Sequence, residues 1–146
     1  MYTQILVATD GTEIASKAVR QAGELAKAFG AKLTIVTVTE QAPTFAAPEL
    51  GWSVPASVFD DIREGNIVAS RKLLDAALAE AGVPAETVHV ENQLPYEGIL
   101  GTASRIGADL IVMGSHGHRG LQRLLLGSQA SKVLSLAEAP VLVVKG

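Results

Sequence analysis

The chain has 146 residues, 48% of them apolar and 18% charged, a balance that supports a packed core and excludes a disordered chain. Twelve basic residues against fifteen acidic ones leave a formal net charge of −3, so no general positive field gathers nucleic acid or an anionic membrane surface. Cysteine is absent, which removes disulfides, thiol catalysis and thiolate-bound metal together.

Ile5-Leu6-Val7-Ala8 is an apolar run that stops at Thr9-Asp10-Gly11, as a buried strand stops at a turn. Ala15, Ala18, Val19, Ala22, Leu25, Ala26 and Phe29 then recur at helical spacing, with Thr12 as N-cap and Gly30 as the stop. Leu33 to Val38, rich in β-branched residues, reads as a second strand. Residues 41–57 have three prolines and no period, and so predict a long loop, whose Phe45 and Trp52 suit a cover for a ligand or a surface for a partner.

A second helix is expected from about Val58 to Ala81, with Val58, Ile62, Ala69, Leu73, Ala76 and Ala77 inward and Gly82 and Pro84 ending it. Val88-His89-Val90 has the mixed polarity of an edge strand, where His89 is structural or simply exposed. Pro95 opens a third helix, with Ile99, Leu100, Ala103 and Ile106 inward and Gly107 closing it. Asp109 to Met113 predicts a strand buried on both faces. A last helix follows Ser128, carried by Ala130, Val133, Leu134 and Ala137, and Pro140 separates it from a final strand, Val141 to Val144.

Alternation of strand and helix with short connections predicts right-handed crossovers and an α/β fold, a mostly parallel sheet with helices on both faces. One domain over residues 1–146 is expected. No run nears the ~20 apolar residues of a membrane span, and Met1 to Gln4 does not open a cleavable leader, so the cytoplasm is the expected location. In such sheets ligands bind beyond the carboxyl ends of the strands. Asp10 and the segment starting at Gly114 both follow such ends, and are expected to meet across one crevice.

That segment, residues 113–128, places glycines at 114, 117, 120 and 127 between a strand and a helix. Glycine blocks no close approach and adopts positive φ, so such a loop turns backbone N–H groups around an anion, with phosphate the leading ligand. Ser128 adds a hydroxyl where the next helix begins, and that helix start carries unpaired donors and partial positive charge. His116 and His118 lack the third and fourth ligands that a metal site requires, and read as loop histidines attracted to phosphate as they protonate. Arg119 and Arg123 suit phosphate contacts, with a solvated face beside Leu124-Leu125-Leu126 as the alternative for Arg123. Asp10, directly after a buried strand, suits a hydroxyl or a divalent cation, with capping of the first helix as its structural alternative. No lysine-bearing P-loop and no Gly-x-Gly-x-x-Gly after the first strand occur, and no positioned nucleophile or general base is recognisable.

Gly114-x-x-Gly117, nine residues, then Gly127-Ser128 resembles the nucleotide-binding signature of the universal stress protein family. The opening Ile5 to Gly11, the phrase Gly107 to Gly117 and the closing Ala139 to Val144 resemble that family in its own order. The resemblance implies a doubly wound five-stranded parallel sheet, order 3-2-1-4-5, that binds ATP at the strand ends in one branch of the family; the retained glycines and serine side with that branch. It implies Asp10 near ribose or metal, Val38 at the adenine, and Met113, Gly114 and Gly117 as near wall and phosphate loop. Gly127, Ser128 and Gln129 match the phosphate positions, although a smaller or β-branched residue is common where Gln129 stands. With Ala8, Thr9, His116, His118 and Arg119, these residues form the candidate site.

The expected ligands are ATP, or ADP or AMP, with Mg2+ or Mn2+ alongside and Asp10 as the protein's contribution to the metal. The expected function is a nucleotide-dependent stress-response regulator or sensor; a weak ATPase or phosphotransfer enzyme and a ligand-free scaffold are the alternatives. Val141, Leu142, Val143 and Val144 would lie at a sheet edge with unpaired ladder groups, which predicts a homodimer through antiparallel last strands.

Overall fold

Apolar runs too short for helices pair side by side, and the amphipathic stretches between them return the chain to the start of the next strand. A computed structural model describes residues 1–41, 55–116 and 126–146. Its elements are β1 (Gln4–Ala8), α1 (Glu13–Phe29), β2 (Lys32–Thr39), α2 (Ala56–Ala81), β3 (Glu86–Glu91), α3 (Pro95–Ile106), β4 (Leu110–Gly114), α4 (Ser128–Leu136) and β5 (Val141–Val144). The strands pair in the order β3-β2-β1-β4-β5, all parallel; the parallel sheet was expected from the alternation of elements and its order from the family resemblance.

Alternate residues of the central strands serve opposite faces. Ile5, Val7, Ile35 and Val112 pack with α1 and α2, whereas Leu6, Val36, Ile111 and Met113 pack with α3 and α4. Ile5, Leu6 and Val7 are wholly buried, and each such side chain contributes about 1.5–3 kcal/mol by leaving water. That two-sided burial is why β1 reads as an unbroken apolar run. The α1 and α2 helices cross closely at Gly23, where a Cβ would stand 2.0 Å from the Ala81 carbonyl oxygen.

Three inward assignments are corrected. In α2 the buried residues are Ser70, Leu74, Ala77 and Ala81, while Val58, Ile62, Ala69 and Ala76 are exposed. A 26-residue helix is about 39 Å long at 1.5 Å per residue, and β2 with its eight residues spans only about 26 Å. The amino-terminal half of α2 therefore overhangs the sheet. Phe29 lies at the exposed end of α1, edge-on to Tyr2 at 5.4 Å. In α4 only Ala130 and Val133 are buried and Leu134 is 44% exposed, while Ala137 does pack against the core, from just beyond the helix as its extended C-cap.

Asp109 precedes β4 instead of opening it, and its carboxylate joins two strand starts. It accepts hydrogen bonds from Thr3 N (2.8 Å), Thr3 Oγ1 (2.9 Å) and Gln4 N (3.0 Å). The Gln4 and Thr3 amides hold its pKa below the ordinary aspartate value. As pH falls the unfolded chain binds this proton first, so the stability that Asp109 contributes is present above about pH 3.9 and is lost as pH drops through the lower folded value. Urea denaturation of the wild type and Asp109→Asn should show the largest stability gap near neutrality, closing steadily below pH 4. A gap independent of pH would remove the charge from the account.

Candidate functional site

The strand order reverses direction at β1 and β4: β1 feeds α1 on one face, and β4 leads to α4 on the other. The chains leaving two adjacent strand ends thus diverge and leave a crevice. A cavity of about 390 Å³ lies there, within the range of small-molecule sites. Its first wall is the end of β1, with Ala8, Thr9 and Asp10; its second is Val36, Val38 and Glu40 on and after β2; its third is Met113, Gly114 and His116 at the end of β4. Pro95 and Ile99 of α3 close one side, and Gly127, Ser128, Gln129 and Ala130 close another.

Each wall is fixed by local chemistry. Thr9 N donates to the Val36 carbonyl (2.9 Å), extending the β1–β2 ladder past Ala8. Asp10 Oδ1 then accepts from Thr12 N (3.0 Å) and from Thr12 Oγ1 (2.6 Å), while Thr12 Oγ1 accepts from Ala15 N (3.3 Å) and caps α1. Gly11 between them has φ of +81°, which a side chain would strain. The expected N-cap is Thr12, whereas Asp10 does not cap α1 itself but orients the capping hydroxyl.

At the end of β4, Ser115 N donates to the Val144 carbonyl (2.8 Å), and Gly127 N donates to the Ser115 carbonyl (2.7 Å). That second bond draws the start of α4 against the end of β4. Gly114 and Gly127 are needed for closeness, not for positive φ, which the described glycines adopt at 11, 30, 82 and 107. A Cβ on Gly127 would lie 3.0 Å from the Ser115 oxygen and 3.1 Å from His116 Cα, and one on Gly114 would lie 3.2 Å from Ile14. His116 Nδ1 shares a hydrogen bond with Ser115 Oγ at 3.1 Å.

The three helix starts around the cavity differ in one respect. The α1 start is capped by Thr12. In α3, Glu97 accepts from Leu94 N (3.1 Å), and Gln129 of α4 accepts from Tyr96 N (2.9 Å). At the α4 start, Gly127 is the N-cap and has no side chain with which to cap, so donors and partial positive charge remain available there. Among the described residues lining the cavity the charged ones are Asp10 and Glu40, and His116 is titratable.

The structure thus brings ten of the sequence-derived residues, Ala8, Thr9, Asp10, Val38, Met113, Gly114, His116, Gly127, Ser128 and Gln129, onto one cavity. Gly117, His118 and Arg119, like Gly120, Arg123 and residues 42–54 of the expected loop, lie outside the described residues. Sequence reasoning missed Ala15, Val36, Glu40, Pro95, Ile99 and Ala130. The start of α3, which returns the chain across β2 after an edge strand, was the available signal, since the ends of β1, β2 and β4 all abut the crevice. His89 does not line the cavity; its Nε2 meets Thr39 Oγ1 (2.9 Å) and Ser70 Oγ (3.3 Å), tying β3 to β2 and α2. Among the described residues no three His, Asp or Glu side chains gather as a metal site.

This arrangement places the chain among the doubly wound α/β proteins whose site lies at the split between strand directions. Residues 1–145 match the model of the universal stress protein family, and the chain belongs to that family. It is 38% identical, over 149 aligned positions, to Universal stress protein YxiE of Bacillus subtilis (strain 168), covering 99% of this chain and 100% of that one. The solved structure of protein MJ0577 superposes with a TM-score of 0.80 at 26% identity, covering 100% of this chain and 97% of that one. A universal stress protein crystallised in complex with cAMP superposes with a TM-score of 0.63 at 28% identity, covering 99% and 97%. No helix among the described residues is long and apolar enough to cross a membrane.

Gly98 sets how near α3 comes to the β2 wall: a Cβ there would stand 2.5 Å from Val38 Cγ2. Gly98→Ala gains helix propensity worth about 1 kcal/mol, but overpacking costs about 1–3 kcal/mol, and β-branched Val38 has few rotamers with which to yield. A net loss of about 1–2 kcal/mol in urea denaturation is expected. Gly101→Ala, whose Cβ meets nothing within 4 Å, should instead raise stability by about 0.5–1 kcal/mol.

Proposed function

We propose that this protein is an ATP-binding stress-response module, in which nucleotide occupancy of the cavity biases contact with a partner. The observation that carries this is the start of α4, left without a side-chain cap at the mouth of a cavity that also offers an apolar patch of Val36, Val38 and Ile99. An adenine nucleotide has that same division. Its base suits Val36, Val38 and Ile99, and its phosphates suit Ser128 and the amides of the first turn of α4. Gly114 and Gly127 support this by letting the end of β4 and the start of α4 stand close together beside the cavity, where side chains would crowd Ile14, Ser115 and His116. The relative bound to cAMP supports the ligand class. ADP and AMP fit the same division of the cavity.

Asp10 and Glu40 oppose a triphosphate, and we propose Mg2+ or Mn2+ as the counterweight, entering with the nucleotide beside Asp10. The phosphates supply the remaining ligands of such an ion. Gly117, His118 and Arg119 belong to this proposal as the remainder of the phosphate loop, and the cytoplasm is its setting. Calorimetric titration with ATP is expected to give binding that weakens about tenfold when EDTA replaces Mg2+. Ser128→Ala should keep the fold and lower affinity about three- to tenfold. Absence of heat at millimolar nucleotide overturns the reading.

We also propose a homodimer through β5. This strand ends the sheet and carries Val141 to Val144, all half-buried and without charge or proline, and so lacks the devices that keep edges apart. Leu134 and Leu136 of the neighbouring α4 are exposed as well. A two-fold axis pairs two such strands antiparallel. Light scattering should report a dimer for the wild type and a monomer for Val143→Lys; a monomeric wild type at working concentration overturns it.

A further inference from the structure

The start of α3 lacks its own cap. Its N-cap position is Leu94, which has no side-chain acceptor for the donors of the first turn. The acceptor comes from another helix: Gln129 Oε1 takes the Tyr96 amide at 2.9 Å. Lys132, one turn further along α4, lies 4.7 Å from the centre of the Tyr96 ring, so the same two helix starts are clamped twice.

This bond also orients the Gln129 amide. A backbone N–H only donates, so the oxygen must face Tyr96 and the NH2 group must face away. Gln129 lines the cavity next to Ser128, and among the described residues the one hydrogen bond of its side chain is the bond to Tyr96. The group left over is a pure donor of fixed direction, adjacent to the helix start that offers donors of its own.

We propose that Gln129 is a specificity-determining residue: its Nε2 donates to a phosphate oxygen of the bound nucleotide while its Oε1 holds the α3 wall in place. This rests on the nucleotide reading above and adds to it a residue that separates phosphorylated ligands from the bare nucleoside. Orientation is supplied before binding, so little side-chain freedom is lost when the phosphate arrives.

Gln129→Glu separates the two roles, because a carboxylate still accepts from Tyr96 N but presents an anionic acceptor where the NH2 stood. Calorimetry of wild type and variant with ATP and with adenosine is expected to show ATP affinity falling at least tenfold and adenosine affinity changing less than threefold. In a 15N-labelled wild type, the side-chain NH2 signals of Gln129, assigned by their loss in the variant, should shift with ATP and stay in place with adenosine. Hydrogen exchange at the Tyr96 amide should be unchanged in Gln129→Glu and faster in Gln129→Met. Equal loss for both ligands, or unchanged ATP affinity, overturns the proposal while leaving nucleotide binding intact. A wild type that binds neither ligand removes both.

Discussion

The hydrogen bond from Gly127 N to the Ser115 carbonyl, 2.7 Å long, is the contact on which the cavity depends. It brings together chain positions twelve residues apart and so sets where α4 begins. Ala130 and Val133 seat the body of α4 on the sheet, and this bond fixes its first residue over the end of β4. The bond favours glycine at position 127, since a Cβ would stand 3.0 Å from the very oxygen that accepts and push the two segments apart. A small backbone interaction thereby converts a topological split in the sheet into a walled site.

Around that site the polar accounts of three helices close in different ways. Asp10 and Thr12 satisfy α1 locally, and Glu97 with Gln129 satisfies α3 partly from outside. The start of α4 is left with glycine alone. An uncapped helix start is costly when nothing meets it, and its persistence beside a cavity is what makes a negatively charged ligand the natural complement. The crossing of α3 over β2 at Gly98 and Val38 fixes the opposite, apolar wall with similar economy of space.

Most of the fold was legible because burial on both faces leaves an unmistakable trace: Ile5 to Val7 and Leu110 to Met113 carry no polar residue to suggest another reading. Helix ends were legible for a different reason, since Gly30, Gly82 and Gly107 all stand in the left-handed conformation that ends a helix. The inner stripe of α2 was not, because periodicity reports an amphipathic face without reporting how far the sheet beneath extends. Of the site, the two strand ends were visible as turn residues after apolar runs. The Gln129–Tyr96 bond was invisible, since it joins residues 33 positions apart and glutamine in a helix has many ordinary uses.

The overhang of α2 divides one helix into two mechanical regimes. From Ser70 onward it is bolted to the sheet by Leu74, Ala77 and Ala81, whereas residues 56–69 contain no buried position. That cantilever contains Gly65, a weak helix former, and is braced to the sheet by the Arg63–Glu91 pair, an exposed contact of 3.1 Å that contributes at most about 1 kcal/mol. Short isolated helices are marginal in water, so unwinding of this half demands far less than global unfolding. The molecule thus carries, beside its rigid sheet, a segment whose order is inexpensive to lose and to regain.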